Sequence, residues 1–478
     1  MESIAYREYA DHMLDQAVVA AQHFKGLDQD AVDSIVKAVF EAAYDSRLEL
    51  ARLAYEETGI GVFEHKVLKN IWASLLVFEN IKEQRTVGEV ARDPYRGITE
   101  IAEPRGPLLA LTPLTNPTST IIFKTLIALK TRNPLIFSPH GAARKCSRAA
   151  VELLHEAAVK AGAPDNCLQF IRKKHKDYLN QIMRHPELAL IIATGTRQIV
   201  KEAYASGKPV IGIGPGNVPV FVDRTADFDL AAESIVISKT FDNGTVCASE
   251  QALVIEKDVE AKLRPLLAEQ GCFFCSASQA EMLGEIAFDS QNRLMRADVV
   301  GQPAHVLAER AGFSVPLSTR MLIAPCLGVG AGFPLSYEIL TPLLAYYVVD
   351  DYSDALRICA RLNALGGQGH TVSIYTNSET VIQDFAARLS AGRLLVNTPA
   401  TQGAIGGTYN SLEPSFTLSC GTEAGNIFTD NITTTHLLNI HRIARRRPNQ
   451  RWHSVAEDTW LDPEVDSTAI QRLFNRNF

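Results

Sequence analysis

The chain has 478 residues, 46% of them hydrophobic, which is room for two or three domains around a large buried core. Its 47 basic and 54 acidic side chains leave a net charge of −7, which argues against nucleic acid as the main partner. No run reaches the ~18 apolar residues of a bilayer crossing, and the charged N-terminus does not read as a signal peptide, so a cytoplasmic protein without membrane contact is expected.

The first ninety residues read as helices. Val32, Ile35, Val36, Val39 and Phe40 recur with a 3.6-residue period, and residues 64–84 continue in kind. Short apolar runs then alternate with amphipathic stretches. Strands are predicted at 108–112, 134–137, 188–194, 210–213 and 218–222, with helices at 118–130, 144–162 and 198–205. This alternation predicts an α/β fold with a parallel, doubly wound sheet. A second alternating block follows residue 247, with strands at 251–256, 344–349, 371–375 and 393–397 and helices at 353–365 and 378–389. It predicts a second α/β domain. The stretch 442–451 carries five arginines and reads as a solvated face; residues 451–478 read as an extension packing on a neighbour subunit, as an oligomer contact, or on the cofactor domain.

Eight cysteines are scattered along the chain, unlike a disulfide framework. Cys272 and Cys275 form a Cys-x-x-Cys pair with no partner pair, so neither redox chemistry nor a metal site is expected of them. Cys247 differs. It follows a Gly hinge in Thr-Phe-Asp-Asn-Gly-Thr-Val-Cys-Ala-Ser-Glu-Gln, with no metal-ligand spacing around it. A thiol presented in this way suits covalent catalysis, because thiolates attack carbonyls and leave a reactive thioester; a buried structural cysteine is the bland alternative. Asn116 lies between a strand end and a helix start, where its amide suits an oxyanion, though by its local run a simple helix cap is the favoured reading. Thr194 and Gly195 end a strand and open a helix, a place for phosphate; Gly212–Asn217 is a second glycine-rich run, and neither completes a dinucleotide fingerprint. Glu338 suits a ribose hydroxyl or plain solvation. His370, in a glycine-rich turn, suits a site or a cap.

The order of these signals resembles the aldehyde dehydrogenase superfamily, in its CoA-acylating branch. The similarity is to the N-terminal half of the bifunctional aldehyde–alcohol dehydrogenases, over residues 30 to 450. It rests on Thr115-Asn-Pro-Thr-Ser-Thr120, Leu129-Lys-Thr-Arg-Asn133, Phe137-Ser-Pro-His140, Ser206-Gly-Lys-Pro209, Gly214-Pro-Gly-Asn217, Lys239-Thr-Phe-Asp-Asn243, Cys247-Ala-Ser-Glu-Gln251 and Asn397-Thr-Pro399. The resemblance implies Cys247 as nucleophile and Asn116, with the Cys247 backbone N–H, as the oxyanion hole. It implies Glu338 on the nicotinamide ribose, Thr194 and Gly195 under the pyrophosphate, Ser138, Pro139 and His140 near the adenosine, and His370 near the CoA thiol. It implies a Rossmann-type NAD(P) domain at 1–237, rejoined by 428–450, a catalytic domain at 238–427, and a homo-oligomer, dimer or tetramer.

Hydrolytic relatives carry a glutamate base where this chain has Ile213. Without that carboxylate, water is poorly activated and the thioester waits for a better nucleophile, the thiol of CoA. The expected reaction is reversible oxidation of a small, two-carbon aldehyde with NAD (NADP is the alternative) and CoA to acyl-CoA. A hydrolytic aldehyde dehydrogenase, or a silent assembly protein, are the rival readings. Two departures from the family pattern bear on the substrate: Arg197 in the cofactor turn and Glu423 after Cys420. Arg197 suits a cofactor phosphate or an anionic substrate group, as in sulfoacetaldehyde in place of plain acetaldehyde. Cofactor choice turns on the loop after Phe137, which lacks an acidic residue and has Arg144 and Lys145 nearby.

Overall fold

The strand Leu108–Thr112 is buried at all five positions. Strands covered on both faces read as unbroken apolar runs, so this one belongs in the middle of a parallel sheet. The computed structural model describes residues 2–173, 175–289, 294–447 and 449–475, which divide into two compact units. The larger holds Met1–Gln84 and Pro104–Leu438; the smaller holds Arg85–Glu103 and Asn439–Phe478.

In the larger unit, five strands lie in the order Leu168–Phe170, Leu135–Pro139, Leu108–Thr112, Leu190–Thr194, Val210–Ile213, all parallel. The chain runs outward from Leu108–Thr112 on one side and then restarts on the other. The strand order therefore reverses between Leu108–Thr112 and Leu190–Thr194, the kind of point where ligands enter open α/β sheets. The helix Pro117–Lys130 is buried along its whole length. It carries Lys124 into the core beneath that reversal, where Nζ donates to Leu111 O (2.7 Å) and Ile192 O (3.0 Å).

A seven-stranded parallel sheet follows, in the order Cys272–Phe274, Met321–Pro325, Leu343–Val349, Glu250–Glu256, Val218–Val222, Gly369–Tyr375, Ala391–Val396. Alternate side chains feed two cores: Ala252 and Val254 enter one, Leu253 and Ile255 the other. Cys272 and Cys275 also fall on opposite sides, each in its own core and each a free thiol.

The expected elements recur with small shifts, and the differences are informative. The helical run at 31–55 is two helices, Gln29–Asp45 and Arg47–Thr58, parted at Ser46. The strand Met321–Pro325 and the helices Lys257–Glu269 and Ala277–Ala287 went unpredicted. The boundary expected at 237/238 does not match the division between sheets, because Val218–Val222 already pairs in the second sheet. The hand-over is the four-residue link from Ile213 to Val218.

In the smaller unit, Gly88–Asp93 and Ile98–Pro104 pair antiparallel, and Leu438–Ala444 completes a three-stranded sheet. Two of the run's arginines have partners there: Arg442 on Glu100 (2.9 Å) and Arg445 on Thr99 Oγ1 (2.9 Å). Trp452 stacks on Trp460 with ring centroids 4.8 Å apart. No described helix is long and apolar enough to cross a membrane.

Candidate active site

The Cys247 loop is built on an unusual turn. After the helix Phe228–Thr240, Asp242 (φ 50°) and Asn243 (φ 52°) are both left-handed, followed by Gly244 at φ 72°. Asp and Asn tolerate that region better than other side chains, but two in succession need external support. Asp242 receives it. Its carboxylate accepts from Val62 N (2.7 Å), Lys66 Nζ (3.1 Å), Lys69 Nζ (2.5 Å) and Thr245 Oγ1 (2.8 Å), while its own N–H donates to His65 Nδ1 (2.8 Å). Burial alone would raise the Asp242 carboxyl, but Lys69 and then Lys66 outweigh it and hold the group below the usual range. Asn243 is anchored by Nδ2 on Gly301 O at 2.9 Å.

Cys247 itself is half-buried, and its Sγ lies 3.3 Å from His370 Nε2. His370 is fully buried and sits inside the strand Gly369–Tyr375, not in a turn before it. Its Nδ1 is 2.9 Å from Thr371 Oγ1, and Arg393 Nη1 donates to its carbonyl at 2.8 Å. Burial, reinforced by Arg393, pushes the imidazole down to about 3. Burial, with Glu338 and Cys420 nearby, pushes the Cys247 thiol up to about 12. The resting pair is thus a neutral thiol against a neutral imidazole, unlike a pre-formed thiolate–imidazolium pair.

The glycine-rich run Gly212–Asn217 serves close approach. A Cβ on Gly216 would stand 2.0 Å from the Cys247 carbonyl oxygen, so only glycine lets the chain pass there. Gly216 N–H donates to Glu338 Oε1 at 2.9 Å. Glu338 is partly buried, and burial raises its carboxyl to about 7. Arg197, at the start of the helix Arg197–Tyr204, is near enough to oppose that rise. Asn217 Nδ2 pins the link to Ser336 O (3.0 Å) and Leu362 O (2.9 Å).

Asn116 precedes the helix Pro117–Lys130 at the cap position, yet its side chain makes no capping bond. Its Oδ1 accepts from Lys69 Nζ at 2.5 Å, and its Nδ2 donates to Thr115 Oγ1 at 2.9 Å. An ammonium has donors only, so the atom facing Lys69 must be the amide oxygen, and the NH₂ points away from it. Lys69 also bonds Thr245, two residues before Cys247, at 3.0 Å.

At the sheet reversal, Thr112 and Thr194 end the two central strands, and both hydroxyls are buried with no partner among the described residues. Buried polar groups are normally paired, so these two mark a place that fits a polar ligand such as a dinucleotide. Gly195 packs tightly: a Cβ there would be 2.9 Å from Ile199 Cγ2. Ser138 and Pro139 end the strand Leu135–Pro139, and His140 caps the next turn by accepting Ala142 N–H at 3.2 Å. The helix that follows is closed by a carboxylate from far away: Glu57 accepts Lys145 N–H (2.8 Å) and Cys146 N–H (2.7 Å). Arg144 is turned to Ile171 O (2.8 Å) and Arg172 O (3.0 Å). Ile213 is buried, at the end of its strand. Glu423 is exposed in the turn Thr422–Ala424.

The structure thus gathers Cys247, His370, Glu338 and Gly216, and links Asn116 to the nucleophile loop. Thr194 and Gly195 lie at the sheet reversal, with Ser138, Pro139 and His140 at the end of another strand of that sheet. Sequence reasoning missed Lys66, Lys69, Asp242, Arg393 and Glu57. A pair of lysines three apart on a helix was the one local signal for the first two, and on most helices it marks a solvated face.

A family model described as "Aldehyde dehydrogenase family" matches residues 3–271. The bifunctional aldehyde-alcohol dehydrogenase AdhE of Escherichia coli K12 is 40% identical over 453 residues, 94% of this chain and 51% of that protein. This chain therefore spans about half the length of that relative. Succinate-semialdehyde dehydrogenase (acetylating) of Clostridium kluyveri is 33% identical, over 90% of this chain and 94% of its own. An acetylating aldehyde dehydrogenase from Geobacillus thermoglucosidasius superposes with a TM-score of 0.90 at 40% identity, covering 94% of this chain and 100% of that one.

Proposed function

The chain belongs to the aldehyde dehydrogenase family, in its acylating branch, and from that premise we propose that Cys247 carries an acyl group from a small aldehyde to CoA. The observation that carries this reading is the 3.3 Å contact between Cys247 Sγ and His370 Nε2, with Ile213 where a water-activating carboxylate would stand.

Cys247 adds to the aldehyde carbonyl. The oxygen gains charge toward the NH₂ of Asn116 and the N–H of Cys247, and such donors are each worth ~3–4 kcal/mol of barrier. His370 is in reach of the sulfur proton. NAD(P)+ bound at the reversal between Thr112 and Thr194 would supply the hydride acceptor and a positive charge that favours the thiolate, and Glu338 would hold its ribose. The carbon is then at the oxidation level of a thioester on Cys247. With Ile213 in place of a base, water attacks slowly; the proton His370 took from Cys247 passes to solvent, and the thiol of CoA then takes the acyl group, its proton going to His370 and on to the departing Cys247 sulfur. A positioned base of this kind contributes ~10²–10⁴-fold.

The five-stranded sheet is the cofactor domain in this reading, and the seven-stranded sheet the catalytic one. NAD is the favoured cofactor: Glu57 closes the helix after the Ser138–His140 loop, and Arg144 is already engaged, which disfavours a 2′-phosphate. The substrate is a two-carbon aldehyde, acetaldehyde or an anionic analogue such as sulfoacetaldehyde held by Arg197. Glu338, close to Cys247 and raised to about 7, supports one rival, hydrolysis with Glu338 as base. An NADH assay over an aldehyde panel, with and without CoA, separates them. Without CoA, at most one turnover per site is expected; sustained acid formation would favour the rival. Equal or better activity on acetaldehyde than on sulfoacetaldehyde would remove the role of Arg197.

A further inference from the structure

The helix Phe63–Ile71 brings two lysines, Lys66 and Lys69, into a buried site with a single carboxylate, Asp242. One ammonium already neutralises one carboxylate. The second leaves the cluster with a surplus positive charge in the interior, which is costly. Lys69 is the nearer of the two to Asp242, and its three donors are fully assigned: Asp242 Oδ2 at 2.5 Å, Thr245 Oγ1 at 3.0 Å and Asn116 Oδ1 at 2.5 Å. Two of these acceptors belong to the loop that presents Cys247, and the third belongs to the amide across from it. Gly61, just before the helix, reinforces the arrangement, since a Cβ there would meet Asp242 Oδ1 at 2.0 Å.

We propose that Lys69 is a positioning residue for the oxyanion site, fixing Asn116 with its NH₂ turned from the ammonium toward the reacting oxygen and polarising that amide with its charge. The inference rests on the acyl-transfer reading above. An ammonium on the amide oxygen draws electron density from nitrogen and makes the N–H groups stronger donors, because hydrogen bonds in series reinforce each other in a dry interior. The charge that is surplus in the resting protein finds its counterpart when the substrate oxygen becomes negative. The same ammonium ties the amide to Thr245 and Asp242, so donor and nucleophile are set by one group.

A mutant cycle tests this. Steady-state kcat and aldehyde KM are measured for Lys69→Met, Asn116→Ala and the double variant, with Lys69→Gln as a neutral donor in place of the charge. Lys69→Met is expected to lower kcat by about 10²-fold, the loss typical of one oxyanion donor, while KM moves by less than about threefold. The double variant is expected to be no more than about threefold slower than Asn116→Ala alone, as for residues acting as a unit. Lys69→Gln should fall between Lys69→Met and the parent. Losses that multiply in the double variant, or a Lys69→Gln at parental kcat, would overturn the proposal. If Lys69→Met fails to fold, the same cycle with Lys69→Gln decides the question. Asn116→Ala at full activity would instead remove the acyl-transfer reading beneath it.

Discussion

The two flanks of Cys247 are built on opposite electrical principles. On one side, Lys66, Lys69 and Asp242 form a buried charged cluster with a net positive surplus. On the other, His370 lies in a dry strand, pushed down to about 3 and uncharged. A protease-like pair would place the cation next to the sulfur to hold a thiolate at rest. Here the cation is applied through Asn116 to the place where negative charge develops, and the sulfur is left as a thiol at about 12. In this reading the charge serves the transition state more than the ground state.

The largest effect that bears on this contrast is removal of its centre. Cys247→Ala should leave no acyl transfer; more than about a few per cent of turnover would make both flanks irrelevant to chemistry. Replacing the neutral flank comes next. His370→Ala should slow CoA-dependent turnover by ~10²–10⁴-fold, and pre-steady-state measurement should show the first burst of NADH less affected than the later CoA step. An equal loss in both would place His370 at the thiol addition alone.

The charged flank predicts a pH dependence. Burial, against the pull of Asp242, lowers Lys69 to about 8, so its ammonium is lost as pH rises through that value. The groups around it include Asp242, Lys66, His65, Cys247, Thr245 and Asn116. The rate constant kcat should therefore fall above pH about 8, and Lys69→Arg, which keeps its charge, should flatten that limb. Stability moves the other way. Between about 8 and the ordinary 10.5, the unfolded chain binds the extra proton, so the folded state gains as pH rises. A kcat that rises through this range would oppose the role given to the cation. The smallest expected change is at Glu57. Its Gln variant should lose ~0.5–2 kcal/mol of stability with the helix cap and should narrow the preference for NAD over NADP, read as the ratio of their kcat/KM. An unchanged ratio would show that the carboxylate only caps.

Much of the fold was legible because parallel strands announce themselves as apolar runs, as Leu108–Thr112 and Leu190–Thr194 do. Met321–Pro325 is also apolar and buried, but with no clear helix marking either side it was passed over. The change of sheet between Ile213 and Val218 is not legible, because the two strands follow each other so closely that nothing local marks it. Cys247, Asn116 and His370 were visible because short flanking motifs carry their chemistry. Lys69 and Glu57 were not, because their partners are far off in sequence. Lys69 meets Asn116 47 residues on and Asp242 173 residues on, and Glu57 meets Lys145 88 residues on. A lysine's burial is written in the whole fold, and no window of sequence displays it.

The link from Ile213 to Val218 joins one sheet to the other, and within it Gly216 rests on the carbonyl of Cys247 while Asn217 Nδ2 donates to both Ser336 O and Leu362 O. One connection between the two sheets thus lies directly against the reacting residue. The four residues that set the spacing of the sheets also set the place of the Cys247 backbone, so a longer or bulkier link would disturb both at once.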